Sequence, residues 1–524
     1  MKFELLDTVI FIVYCVLVVG IGLWVSREKK GVKKDSKDYF LASKALPWWA
    51  VGASLIASNI SAEQFIGMSG SGFAIGMGIA SYEFMAALTL IIVAMFFLPI
   101  YLHRGIYTMP QFLEQRFDKR VKTVMAIFWL LVFIFVNLTS ILYLGALAVK
   151  NMMGVDLIWG IIGLAAFSAL YSIYGGLKAV AWTDVIQVVF LIGGGLVTTY
   201  VAFRMLGGGD VMNGVQELAA KASDKFDMIL DKSHPSYKEL PGLSVLIGGL
   251  WVANLYYWGC NQYIIQRALA SKSIDQAQKG LVFAGFLKIL LPLIVVIPGI
   301  ICYVMVQDGM IDDIGKPDNA YPVLLSMVPV GIRGLAFAAL VAAIVSSLAS
   351  MMNSISSIFT MDVYKSYIDK NVSEQKMVSV GRWTSVVALI IACVIAPVLS
   401  NLDQAFQYIQ EFTGFVSPGA LAIFLAGFFY KKATANGALA AAFGTFVFSA
   451  LFKWLLPAMP FMDRMGIVFL ICFALIVIFA LVERKPVDTE KVTYPKGLFR
   501  TSAGFKIGAL LIVAILIFIY AIWW

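Results

Sequence analysis

Between Ser54 and Glu83 an apolar run turns polar where the middle of a membrane helix should lie. The run enters through PWWAVGASLIA and then places Ser58, Asn59, Ser61, Glu63 and Gln64 within seven positions. Gly67, Ser69, Gly70, Ser71 and Gly72 follow. In hydrocarbon each backbone group left without a partner costs several kcal/mol, so irregular backbone survives only against protein or beside a wet cavity. A broken helix near the midplane meets that condition, because its loose carbonyls and helix ends can hold ions and solutes. The stretch therefore reads as half of a transport site. For the glycines, a close helix-packing face is an equally good account. For Asn59, Glu63 and Gln64 it is not, because ionisable and amide groups at that depth need partners.

The rest of the chain fits this setting. Of its 524 residues 60% are hydrophobic and only 14% charged, against about 25% charged in soluble domains. Hydropathy predicts an all-α polytopic membrane protein with about fourteen transmembrane helices, from 6–26 to 505–523, including 48–72, 157–175, 243–266 and 405–429. The N-terminal apolar run has little basic character before it and reads as a retained span, not a signal peptide. The five cysteines lie in apolar runs without metal or disulfide spacing. Most of the 40 lysines and arginines fall in alternate loops, including 27–47, 102–122 and 484–506. Those loops are then cytoplasmic and both termini external. The basic residues are spread over loops, so the net charge of +9 does not point to nucleic acid.

This count implies symmetry. Residues 1–47 hold an extra helix and a basic cytoplasmic loop. A first five-helix unit spans 48–203, an external loop with one short helix spans 204–242, an inverted second unit spans 243–429, and three further helices span 430–524. The first helix of each unit should be broken. In the second unit Asn254, Asn261 and Gln262 interrupt GGLWVANLYYWGCNQYIIQR. Paired interruptions of this kind point to a midplane binding site.

Other polar groups belong to the same picture. Glu83 and Lys288 lie inside apolar runs, where a central charge costs about 2.5–3.5 kcal/mol on insertion scales. They can face one wet cavity or form a structural ion pair. Ala343, Ser346 and Ser347 share a helix face, and Ala57 and Ile60 flank the expected break. Carbonyls and hydroxyls without a formal charge suit an alkali cation better than a divalent one, although serine pairs in spans also serve ordinary packing. Phe406 and Gln410 are i, i+4 neighbours, and Ser417-Pro418-Gly419 should bend the helix that follows them. Asp184, about one turn into its span, can pair with a nearby cation or mark the cytoplasmic interface, and the second reading is the preferred one.

IASNISAEQFIGMSGSG, YSIYGGLKAVAWTDVIQ, GGLWVANLYYWGCNQYIIQR and AIVSSLASMMNSISSIFTMD resemble the sodium:solute symporter family, on its bacterial sodium/galactose (sodium/glucose) branch. The resemblance runs through nearly the whole chain. It implies a multi-pass symporter of the inner (cell) membrane that imports a hexose by alternating access. It implies sugar contacts at Gln64, Glu83, Asn254, Lys288 and Gln410, with Asn59 and Asn261 at contact or supporting positions. It also implies an outer gate of Met68, Tyr82 and Phe406 and an inner gate at Tyr257. Sodium, Na+, falls to the carbonyls of Ala57, Ile60 and Ala343 and the hydroxyls of Ser346 and Ser347. Ala86 departs from the galactose branch, which has serine there, and this leaves the sugar open. Members with a second sodium site carry a serine at the position of Ala343, so the alanine implies one sodium per cycle. The expected partners are a monosaccharide, sodium and membrane lipid; dimer formation stays open.

The residues agree with this reading on their own terms. Gln and Asn both donate and accept, Glu accepts and Lys donates, which matches a ring of hydroxyls. Tyr257 and Phe406 offer faces for a sugar ring. No arginine is expected inside a span to recruit a carboxylate. A passive channel would show repeated pore-lining rings. An enzyme would need a nucleophile or metal cluster, and the two histidines lie in loops. A receptor would need a soluble signalling domain, for which no segment is long enough. The serious alternative is a sodium symporter of another small solute, such as inositol, an amino acid, a vitamin or an anion.

Overall fold

The computed structural model describes residues 4–25, 27, 35–401, 405–484, 486 and 492–524. Among these the chain is helical throughout, apart from one isolated bridge between Leu46 and Ser271. The elements that build the site are α1 (Leu5–Val25), α2 (Trp48–Asn59), α3 (Ser69–Ala74), α4 (Ser81–Ile92), α5 (Leu157–Leu206), α6 (Gly249–Gly259), α7 (Gln262–Leu269), α8 (Ile274–Gln307), α9 (Ile332–Ile358), α10 (Ala405–Thr413) and α11 (Ser417–Phe429).

Among the described residues ten helices are long and apolar enough to cross a membrane. Of the expected spans, 48–72, 243–266 and 405–429 are interrupted along their length, while 157–175 is helical up to the corner at Gly176. α2 ends at Ile60, whose φ −76° and ψ 115° are extended. A π-helical turn, Glu63–Met68, then leads into α3. α6 and α7 part at Cys260 and Asn261, the latter again extended at φ −88° and ψ 123°. A turn at 414–416 separates α10 from α11. The bend expected at Ser417-Pro418-Gly419 thus falls just before it: Pro418 opens a new helix, where its missing N–H costs nothing. α5 is two helices meeting at Gly176, with φ 65° and ψ −161°. A Cβ there would lie 2.5 Å from the Tyr39 carbonyl oxygen, so the corner requires glycine twice over.

The core lies where α5 packs along α9 and where α8 packs along α2, α3 and α4. Burial falls from 94% in the apolar stretch of Ile332–Ile368 to 22% in that of Ala503–Ile522, which separates core from rim. The glycines after the first break serve packing. A Cβ on Gly72 would meet the Val296 carbonyl oxygen at 2.6 Å, and one on Gly299 would meet that of Ser69 at 2.0 Å. α3 and α8 touch backbone to backbone, as small residues allow between membrane helices. The two broken regions are also tied together: Leu46 N–H donates to Ala270 O at 3.1 Å and Lys272 N–H to Leu46 O at 3.1 Å.

Candidate functional site

The break in α2 arises locally. A continuous helix would direct the Ser61 N–H to the Ala57 carbonyl, but here it goes to Gln64 Oε1 at 2.9 Å. The Ser61 hydroxyl donates to the same oxygen at 3.2 Å, so the Gln64 side chain caps the following turn. The carbonyls of the break turn to α9. Ser347 Oγ donates to Ser58 O at 2.9 Å and to Ile60 O at 3.2 Å. Ala57, Ile60, Ala343, Ser346 and Ser347 are all buried at this junction of two packed helices.

On the other side of the break lies a cavity of about 60 Å³, room for a few waters. Asn59, Gln64, Glu83, Asn254, Asn261, Lys288 and Gln410 line it, with Tyr82, Tyr257 and Ala86. Met68 is buried one turn beyond and is not among the lining residues. The side chain of Phe406 lies outside the described residues. Lys288 Nζ donates to Asn59 Oδ1 and to Glu83 Oε2, and it stands 5.0 Å above the Trp258 ring. Asn59 Nδ2 donates to the Tyr257 hydroxyl at 2.8 Å, which also bonds the Tyr263 hydroxyl. Asn254 Nδ2 reaches back to Leu250 O at 3.2 Å. Asn59 therefore links the cavity to the junction: its neighbours Ser58 and Ile60 give their carbonyls to Ser347, and its amide joins Lys288 to Tyr257.

Asp184 corrects the sequence expectation. It is fully buried among the protein's own side chains and does not stand exposed at a helix end. Ser54 Oγ and Ser346 Oγ donate to its two oxygens at 2.5 Å each. Ser346 thus presents its proton to a carboxylate, while its hydroxyl oxygen keeps lone-pair capacity. Arg267, one residue past the expected span 243–266, is buried at the end of α7. It donates to Ser350 Oγ and Tyr263 O, and Ser350 Oγ bonds Ser58 Oγ at 2.9 Å. A carboxylate and a guanidinium therefore flank the junction that the sequence presented as neutral. Glu63, Asn137, Trp258 and Thr413 also line the cavity. Glu63 had a signal, its place beside Gln64 in the polar run; Trp258 and Thr413 lie in interrupted helices and Asn137 in a π-helical turn.

Polar groups gathered from several broken helices around one buried cavity define a multi-pass membrane transporter. The chain belongs to the sodium:solute symporter family, whose model matches residues 39–444. It is 54% identical to the sodium/glucose cotransporter of Vibrio parahaemolyticus, across 99% of this chain and 98% of that one. It is 34% identical to the human sodium/myo-inositol cotransporter 2, across 82% of this chain and 67% of that one. In three dimensions it is similar to a sodium-coupled sialic acid symporter in a substrate-bound outward-open state, with TM-score 0.81, 24% identity and coverage of 92% and 98%. It is a transporter and not an enzyme, and sodium is the coupling ion of its family.

Proposed function

We propose that the chain imports a hexose such as galactose or glucose together with one sodium ion by alternating access. The observation that carries this reading is the shared origin of the two sites in one helix break. Ser58 and Ile60 face Ser347, while Asn59 between them faces Lys288 and Tyr257. A cation held by the carbonyls of Ala57, Ile60 and Ala343 and the hydroxyls of Ser346 and Ser347 would fix the main chain on both sides of Asn59. That is the differential contact a coupling mechanism needs. Asp184 would balance the ion's charge from behind Ser346.

In this reading Gln64, Glu83, Asn254, Lys288 and Gln410 contact the sugar, with Asn59 and Asn261 beside them. Tyr257 closes the inner side; Met68, Tyr82 and Phe406 close the outer. Two carboxylates line the cavity, Glu63 and Glu83, which favours a neutral polyol over an anion. The name of the human relative keeps inositol as the second reading. The three interrupted helices and the helix over 157–175, added to the ten, would give fourteen spans. Residues 48–203 and 243–429 are then inverted units, with 430–524 at the rim. The basic loops support an orientation with both termini outside the inner membrane.

Sodium-dependent uptake into proteoliposomes tests the reading, with galactose, glucose, myo-inositol, proline and iodide compared. Uptake of a hexose above the other solutes is expected. Sodium-driven uptake of proline or iodide alone would overturn the sugar assignment.

A further inference from the structure

Two oxygens in the cavity wall are buried acceptors without a hydrogen-bond partner, Glu63 Oε1 and Asn261 Oδ1. The other carboxylate of the wall, Glu83, is paired with Lys288, and the carbonyl oxygen of Gln64 is taken by Ser61. Glu63 opens the π-helical turn, with its own N–H fixed to Ser61 Oγ at 3.1 Å. Such wide turns recur at functional sites, and this one presents Glu63 and Gln64 to the same cavity although they are adjacent in sequence.

A buried acceptor without a donor carries its full desolvation cost. Water can supply that donor; a solute that displaces the water must bring a donor of its own. A carboxylate or halide brings only acceptors. A second cation would stand in one small cavity with the Lys288 ammonium. A hydroxyl brings a proton and no charge.

We propose that Glu63 is a specificity-determining contact, with Oε1 accepting a hydrogen bond from one hydroxyl of the bound sugar. This rests on the reading of the solute as a hexose. Glu83 and Lys288 then read one part of the hydroxyl pattern, and Glu63 reads another hydroxyl that no residue carried over from the family pattern was assigned.

The test is equilibrium binding to the purified full-length protein in sodium, with galactose, glucose and their monodeoxy analogues as competitors. Wild type, Glu63→Ala and Glu63→Gln are compared. In wild type one analogue should lose on the order of 10-fold or more in affinity, the range for a hydrogen bond to a charged group. In Glu63→Ala the parent sugar should weaken by a similar factor, and that analogue should bind as well as the parent. Glu63→Gln, which keeps an acceptor and the side-chain size, should fall between, and it alone suffices if Glu63→Ala does not fold. Equal losses for every analogue in all three proteins would overturn the proposal. So would a change in sodium dependence with sugar discrimination unaltered, which would make Glu63 a cation ligand. If wild type binds no hexose in sodium, the sugar reading fails as well; if it binds hexose with uniform losses, only the assignment of Glu63 fails.

Discussion

One hydroxyl, Ser347 Oγ, spans both carbonyls freed at the break of α2. Ser347→Ala removes it with little change in volume. Sodium activation of uptake should shift to higher concentration, on the order of 10-fold, while the protein still inserts. A sodium titration like that of wild type would exclude the junction as the cation site. The Glu83–Lys288 pair calls for a different experiment, because both members are buried. Lys288→Met leaves a buried carboxylate alone and should lower stability by about 3–5 kcal/mol. Combining it with Glu83→Gln should restore much of that stability and leave sugar binding lost. A double variant that regains binding would make the pair purely structural. Glu83 and Lys288 were legible in the sequence because ionisable groups stand out in apolar runs. Asp184 and Arg267 were not. Both lie near the ends of apolar stretches, and depth along one helix says nothing about which neighbours stack around that end. Only the packing of α5, α7 and α9 against α2 encloses them.

At the scale of elements, the interruptions were legible and their details were not. Asn and Gln inside apolar runs marked the breaks at Ile60 and Asn261. The π-helical turn after the first break left no mark, because an i→i+5 turn needs no special residue. The corner at Gly176 was visible only as two glycines joining two apolar runs. Gly176→Ala should be costly there, since its φ and ψ lie in a region essentially restricted to glycine and the added methyl meets Tyr39. Strain of about 1–3 kcal/mol is expected from the backbone alone. Gly193→Ala, on the same helix and with nothing within 4 Å of the new Cβ, is the control. It should leave stability equal to or slightly above wild type. Thermal melts of the two variants in detergent check the contrast, and equal melting temperatures would contradict it.

For the whole molecule, the number of ions sets the driving force. At about 100 mV, inside negative, one sodium contributes roughly 2.3 kcal/mol. A tenfold inward gradient adds about 1.4 kcal/mol. One ion then sustains accumulation of the sugar on the order of 500-fold, and two would square that limit. The reversal potential in proteoliposomes with known gradients measures the ratio, and a value for two sodium ions per sugar would overturn the single-ion reading. The three interrupted helices, at 48–72, 243–266 and 405–429, also bear on how the molecule is made. Each offers the insertion machinery a run too short, or too polar at its centre, to commit alone to the bilayer. α2 and α3 have α8 as their backbone-to-backbone neighbour, and α8 is synthesised some 200 residues later. The first half of the binding site must therefore wait at the translocon, or shelter against earlier helices, until the second half emerges. Synthesis halted before α8 should leave 48–74 poorly inserted, so the break that shapes the cavity would be the part slowest to settle during the protein's own birth.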